Sequence, residues 1–102
     1  MKPEVLEPNR AEKLRTNKRY RDAFIKEKAR VGLAFHVREE REARHLTQAQ
    51  LANLIGTSPQ VISRIENPNY EGTSLSTAIR IAQAFNCELK IQFVSLPFHG
   101  GE

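Results

Sequence analysis

Gln60 and Arg64 are the two side chains of this sequence best equipped to read a surface by hydrogen bonding. A glutamine amide can pair in bidentate fashion with the edge of an adenine, and a guanidinium with the edge of a guanine. Four residues apart, they share one face of any helix that carries them, and that face points away from Ile62 and Ile65. Pro59, Val61 and Ser63 flank them. Other chemistry finds little material. Asp22 is the only aspartate, there is no nucleophile motif or Gly-rich phosphate loop, and His36, His45 and His99 are far apart and lack metal-ligand spacing. Cys87 is the single cysteine, which excludes an internal disulfide and reads as a small buried residue. No catalysis, metal or cofactor is expected.

The elements that position Gln60 and Arg64 are legible from their boundaries. Thr47 with Gln50 three residues later forms a capping box, and Leu46 and Leu51 form the hydrophobic staple around it. The helix so begun runs Gln48 to Ile55 and ends at Gly56, where a left-handed residue is wanted. Ser58 caps the next helix, with Pro59 in its first turn, where a missing N–H costs nothing. That helix ends at Asn67-Pro68, and a turn-rich loop runs to Thr73. Two short helices joined by a glycine-containing turn outline a helix-turn-helix. Ala52 is small where the two cross, and Leu51, Ile55, Ile62 and Ile65 anchor both on a core. An ordinary helical hairpin in a small bundle would carry the same caps and periodicity.

Upstream, Lys18 to Arg44 is rich in helix formers, with Tyr20, Phe24, Val31, Ala34, Phe35 and Val37 forming an apolar stripe. Gly32 either bends this helix or breaks it. Downstream, a helix starts at Ser74 with Leu75, Ala78, Ile79, Ala82 and Phe85 along one face. The period then changes to two: Leu89, Ile91 and Phe93 alternate with Glu88, Lys90 and Gln92, which predicts a strand with one buried face, ended by Pro97 and Gly100-Gly101. The expected organisation is a flexible tail over 1–17, a helical domain with an N-terminal helical extension over 18–86, a strand segment over 87–98 and a tail over 99–102. The rest of the chain reads as helical, so the strand is expected to pair with its own copy across a homodimer axis.

The chain has 102 residues, enough for one domain and a modest core. Nothing approaches the ~20 apolar residues of a membrane span, and the start lacks a signal-peptide pattern, so a cytoplasmic location is expected. The net charge is +4, and 13 of the 16 basic residues precede Leu46, along with 8 of the 12 acidic ones. Lys18, Arg19, Arg21, Lys26 and Lys28 are candidates for phosphate contacts, although a solvated helix face has the same composition.

The wording of the central segment is more specific than its periodicity. Leu46-Thr47-Gln48-Ala49-Gln50-Leu51-Ala52, Gly56-Thr57-Ser58 and Val61-Ile62-Ser63-Arg64-Ile65-Glu66-Asn67 resemble the Cro/C1 (XRE) family of repressors over about residues 31–86. The resemblance implies a mainly α fold, a lambda-repressor-like domain of five helices whose third enters the major groove of operator DNA. It implies base reading by Pro59, Gln60, Val61 and Arg64, though Pro59 stands where a polar residue often reads. It implies phosphate contacts by Gln48, Ser58 and Asn67, and an ion pair between Arg41 and Glu66 that ties the first helix to the end of the third.

The C-terminal part, Thr73-Ser74-Leu75-Ser76-Thr77 with Ile79-Arg80-Ile81-Ala82-Gln83-Ala84-Phe85 and the terminal strand, resembles HipB-type antitoxins and, less closely, HigA-type ones. The upstream basic helix departs from that pattern. The functions implied are a transcriptional repressor that occludes a near-palindromic operator as a homodimer, and an antitoxin that also represses its own operon, with a cognate toxin as second partner. A stand-alone XRE-type regulator, or a toxin-neutralising module with secondary DNA binding, are the alternatives.

Overall fold

In the computed structural model residues 9–96 are described. The first half of the expected N-terminal tail, and residues 97–102 with Pro97, His99 and the glycine pair, lie outside them. Among the described residues the helices are α1 (Arg10–Thr16), α2 (Lys18–Ala43), α3 (Gln48–Ile55), α4 (Pro59–Ile65) and α5 (Leu75–Ala84). The fold is thus mainly α, and the five helices include α1, which falls in the segment expected to be a tail. The described residues fall into two compact units, one running Lys28–Ile91, the other holding residues up to Glu27 with those from Gln92 on.

In the second of these units α1 folds back on the start of α2 through a joint at Asn17. Asn17 is extended at the end of α1, and its side-chain oxygen accepts from Tyr20 N (3.0 Å), capping α2. Leu14 is almost fully buried. The Arg10 guanidinium lies 4.7 Å from the Phe24 ring centroid, the Lys13 ammonium 5.4 Å from that of Tyr20, and Arg21 donates to the Leu14 carbonyl (3.0 Å). A short helix of low apolar content is held here by cation–π contacts and one buried leucine, which a search for apolar periodicity does not detect.

α2 passes through Gly32 without interruption. A single glycine costs about 1 kcal/mol relative to alanine, too little to break a helix of 26 residues. Nothing lies within 4 Å of where its β-carbon would be, so packing does not demand a glycine there.

Three helices of the unit Lys28–Ile91 end in the same way. His45, Gly56 and Asn86 take left-handed backbone angles (φ 56°, 73° and 57°), and the next residue's N–H bonds back to Arg41 O, Ala52 O and Ala82 O, respectively. This is the Schellman arrangement, which satisfies carbonyls the helix leaves open. The caps at the other ends also form. Thr47 Oγ1 accepts from Gln50 N (3.0 Å) while Gln50 Oε1 accepts from Thr47 N (2.8 Å), and Ser58 and Ser74 cap α4 and α5.

The core of the same unit consists of Val37 on α2, Leu51, Ala52 and Ile55 on α3, Ile62 and Ile65 on α4, and Ile81 with Phe85 on α5; Leu33, Leu46, Val61 and Ala84 pack around it. Two expected stripes are corrected. On α2 the buried apolar positions are Ala34 and Val37, while Phe35 is 56% exposed. On α5 the buried row is Ala78, Ile81 and Phe85, and Leu75 and Ile79 face outward. The expected face held Ala78 and Phe85 together with Leu75, Ile79 and Ala82; the rows 78, 81, 85 and 75, 79, 82 are equally good helical faces, so periodicity alone does not choose between them. Cys87 is exposed rather than buried. Beyond α5 no strand forms among the described residues, and Leu89, Ile91, Phe93 and Val94 are exposed.

Candidate nucleic-acid interface

α3 and α4 are joined by the three residues Gly56, Thr57 and Ser58. Leu51 and Ile62 are fully buried and Ala52 and Ile65 nearly so, which fixes the inner faces of both helices. The outer face of α4 then carries Pro59, Gln60, Ser63 and Arg64, all exposed. Gln60 and Arg64 engage no hydrogen bond, ion pair or ring through their side chains among the described residues. They form a pair of long polar groups one helical turn apart, with full donor and acceptor capacity directed outward. Val61 is different: half-buried, it packs against the core and offers only part of its surface.

The residues implicated in phosphate contact are partly occupied within the protein. Ser58 Oγ accepts from Val61 N (3.4 Å) as the α4 cap. Asn67 Oδ1 accepts from Asn69 N (2.9 Å), which leaves its amide nitrogen as an outward donor. Gln48 Nε2 donates to Glu66 Oε1 (3.1 Å).

Glu66 is the junction of the site. It is the C-cap residue of α4, and its side chain is 4% exposed. Arg41 Nε donates to Oε2 (2.6 Å) and Nη2 to Oε1 (3.0 Å), a bidentate fork from α2, while Gln48 joins from α3. The remaining Arg41 nitrogen, Nη1, donates to Leu46 O (2.7 Å). The hydrogen bonds that Arg41 donates to Glu66 hold its pKa above the ordinary guanidinium value, against an opposing effect of burial. One carboxylate thus joins α2, α3 and the end of α4, and sets the angle at which the Gln60–Arg64 face is presented.

Further arginines that buttress the site give no signal in sequence spacing. Arg80 on α5 donates to the carbonyl of Ile55, at the end of α3. Arg44 stacks on Phe85 (4.6 Å to the ring centroid), pairs with Glu40 (2.7 Å) and donates to Phe85 O (3.2 Å) and Cys87 Sγ (3.0 Å), fastening the exit of α5 to the end of α2. Apart from the Arg44–Glu40 pair, these contacts join residues 25 to 43 positions apart. Of the basic residues near the start of α2, Arg21 is committed to Leu14 O, and Lys18 pairs with Asp22 (2.6 Å), whose pKa is lowered by that hydrogen bond.

No group of residues suited to hold a metal occurs among the described residues, and no described helix is long and apolar enough to cross a membrane. A family model described as helix-turn-helix matches residues 37–91, more than half of the chain. No curated protein and no solved structure matches it.

Proposed function

This chain belongs to the helix-turn-helix family of XRE type, a family of DNA-binding transcriptional regulators, and from that premise we propose that α4 enters the major groove and reads sequence through Gln60 and Arg64. The observation that carries this reading is the outer face of α4. Two exposed polar side chains lie one turn apart without partners among the described residues, on a helix locked from behind by Ile62, Ile65 and the Glu66 junction. Pre-organisation of this kind lowers the cost of binding. Pro59 and Val61 offer apolar contact to base edges at most. Gln48, Ser58 and Asn67 serve the phosphates, Ser58 through the backbone at the α4 N-terminus, since its hydroxyl is a cap.

The active species in this reading is a homodimer paired through Leu89, Ile91 and Phe93, and its operator is a near-palindrome with half-sites about one turn, ~34 Å, apart. The exposed apolar side chains after α5 support that assembly. Occupancy of the operator would block polymerase sterically. The likeness of the C-terminal segment to HipB-type antitoxins extends the proposal to an autorepressor of a toxin–antitoxin operon, with the same exposed segment as a place where a toxin strand could add.

Base reading has a definite signature. Gln60→Ala and Arg64→Ala are each expected to cost about 1–3 kcal/mol on the preferred operator and to relax discrimination at one base pair. Gln48→Ala and Asn67→Ala should instead weaken binding to all duplexes alike. Titration of each variant on operator and random duplex separates the two classes. Equal losses on both duplexes for Arg64→Ala would remove α4 as the reading element.

A further inference from the structure

We infer that Arg30 is a positioning residue for the DNA-facing loop that follows α4, an inference that rests on the reading of α4 proposed above. Arg30 precedes the segment matched by the family model. It lies on α2 in the row Arg30, Ala34, Val37, Arg41, whose spacings of four, three and four keep one helical face. Ala34 and Val37 are buried at its centre, and an arginine stands at each end.

Both arginines hold the chain as it leaves α4. Arg41 takes Glu66. Arg30 Nε donates to Pro68 O (2.6 Å), and its Nη1 pairs with Glu71 Oε2 (3.2 Å). The Arg30 side chain is only 21% exposed. Asn67, the proposed phosphate donor, therefore lies between two clamps that reach it from the same face of the same helix.

The loop is shaped locally as well. Asn67 accepts from Asn69 N through its side chain and from Tyr70 N through its carbonyl (2.9 and 3.0 Å), and its own N–H donates to Arg64 O (3.0 Å). The Tyr70 ring lies against Gly72, where a β-carbon would collide with the phenol. These contacts give the loop a shape, and Arg30 attaches it to α2. Arg30 also offsets the charge of Glu71, an acidic group in a loop that meets phosphate.

Two of its three guanidinium nitrogens, Nε and Nη1, already face protein acceptors, so Arg30 acts through the loop rather than as a phosphate ligand. Arg30→Met, which keeps the aliphatic stem, is expected to lower operator affinity roughly tenfold through lost pre-organisation. The slope of log K against log salt should be unchanged. In the free protein, amide exchange at Asn69 and Tyr70 should quicken, while far-ultraviolet circular dichroism is unaltered. Glu71→Ala, a change at a half-exposed surface position, should speed the same two amides and so repeats the test without touching α2. A slope shallower by about 0.9, the loss of one phosphate contact, with unchanged amide exchange in both variants, would overturn the proposal. The exchange measurement needs no DNA, so a wild-type chain that bound no duplex would refute the reading of α4 while the clamp was still judged on its own.

Discussion

Arg41→Ala is expected to destabilise the unit Lys28–Ile91 by about 3–5 kcal/mol, the range for stranding one member of a buried ion pair. The substitution leaves the Glu66 carboxylate, at 4% side-chain exposure, with Gln48 as its remaining hydrogen-bond partner, and removes the donor from Leu46 O. Urea unfolding followed by circular dichroism reads the effect, and an unchanged midpoint would mean the pair contributes nothing. The pH dependence has a defined sign. The folded-state pKa of Arg41 is raised above the ordinary guanidinium value by its hydrogen bonds to Glu66, so its contribution is fully present below the unfolded value and is lost only as pH rises through the higher folded value. At neutral pH the guanidinium side of the pair is therefore insensitive to pH.

Ile91→Asp carries the second large expectation: a protein that folds normally, sediments as a monomer and binds its operator roughly 10²–10⁴-fold more weakly, the loss when two linked half-site contacts become one. Ile91 is 65% exposed, Phe93 wholly so, and Leu89 and Val94 are exposed beside them. Among the described residues no hydrogen bond engages the backbone of Glu88–Val94. A segment of alternating apolar residues with open backbone groups is a ready edge for strand addition, and a second copy supplies the same register by symmetry. Because the side chain is exposed in the single chain, an aspartate there costs the fold little and the dimer much. Sedimentation at about tens of micromolar, well above the Kd of specific interfaces, decides: a monomeric wild-type protein, or a dimeric Ile91→Asp variant, contradicts strand-mediated pairing.

What could be read from the sequence follows a physical division. Signals confined to a few neighbouring residues were legible: the Thr47–Gln50 box, the Gly56 turn, and Ser58 with Pro59 at the start of α4 all appear in the structure. Each is a local hydrogen-bonding or steric necessity, and each bounds the α3–α4 pair that forms the candidate site. Ends that rely on less usual residues were not marked. His45 and Asn86 adopt left-handed angles that glycine would have announced. Choices among equivalent helical faces were also hidden, since only tertiary packing places Ile81 inward and Ile79 outward on α5. The arginine contacts were hidden for the same reason. Arg30 to Glu71, Arg44 to Phe85 and Arg80 to Ile55 join distant parts of the chain, and a charged residue on a helix looks the same whether it is solvated or clamped. α1 escaped detection because Leu14 is its one buried side chain.

The most direct measurement is the ratio of affinities for two duplexes at one fixed salt concentration: a sequence selected by the protein from a random pool, and its scrambled counterpart. Fluorescence anisotropy of labelled duplexes supplies both values. If α4 reads base edges through Gln60 and Arg64, the wild-type protein should prefer the selected sequence by about 10³-fold or more, and Arg64→Ala should lose one to two powers of ten of that preference, the equivalent of about 1–3 kcal/mol. Equal affinity of the wild-type protein for the two duplexes would contradict sequence reading by α4.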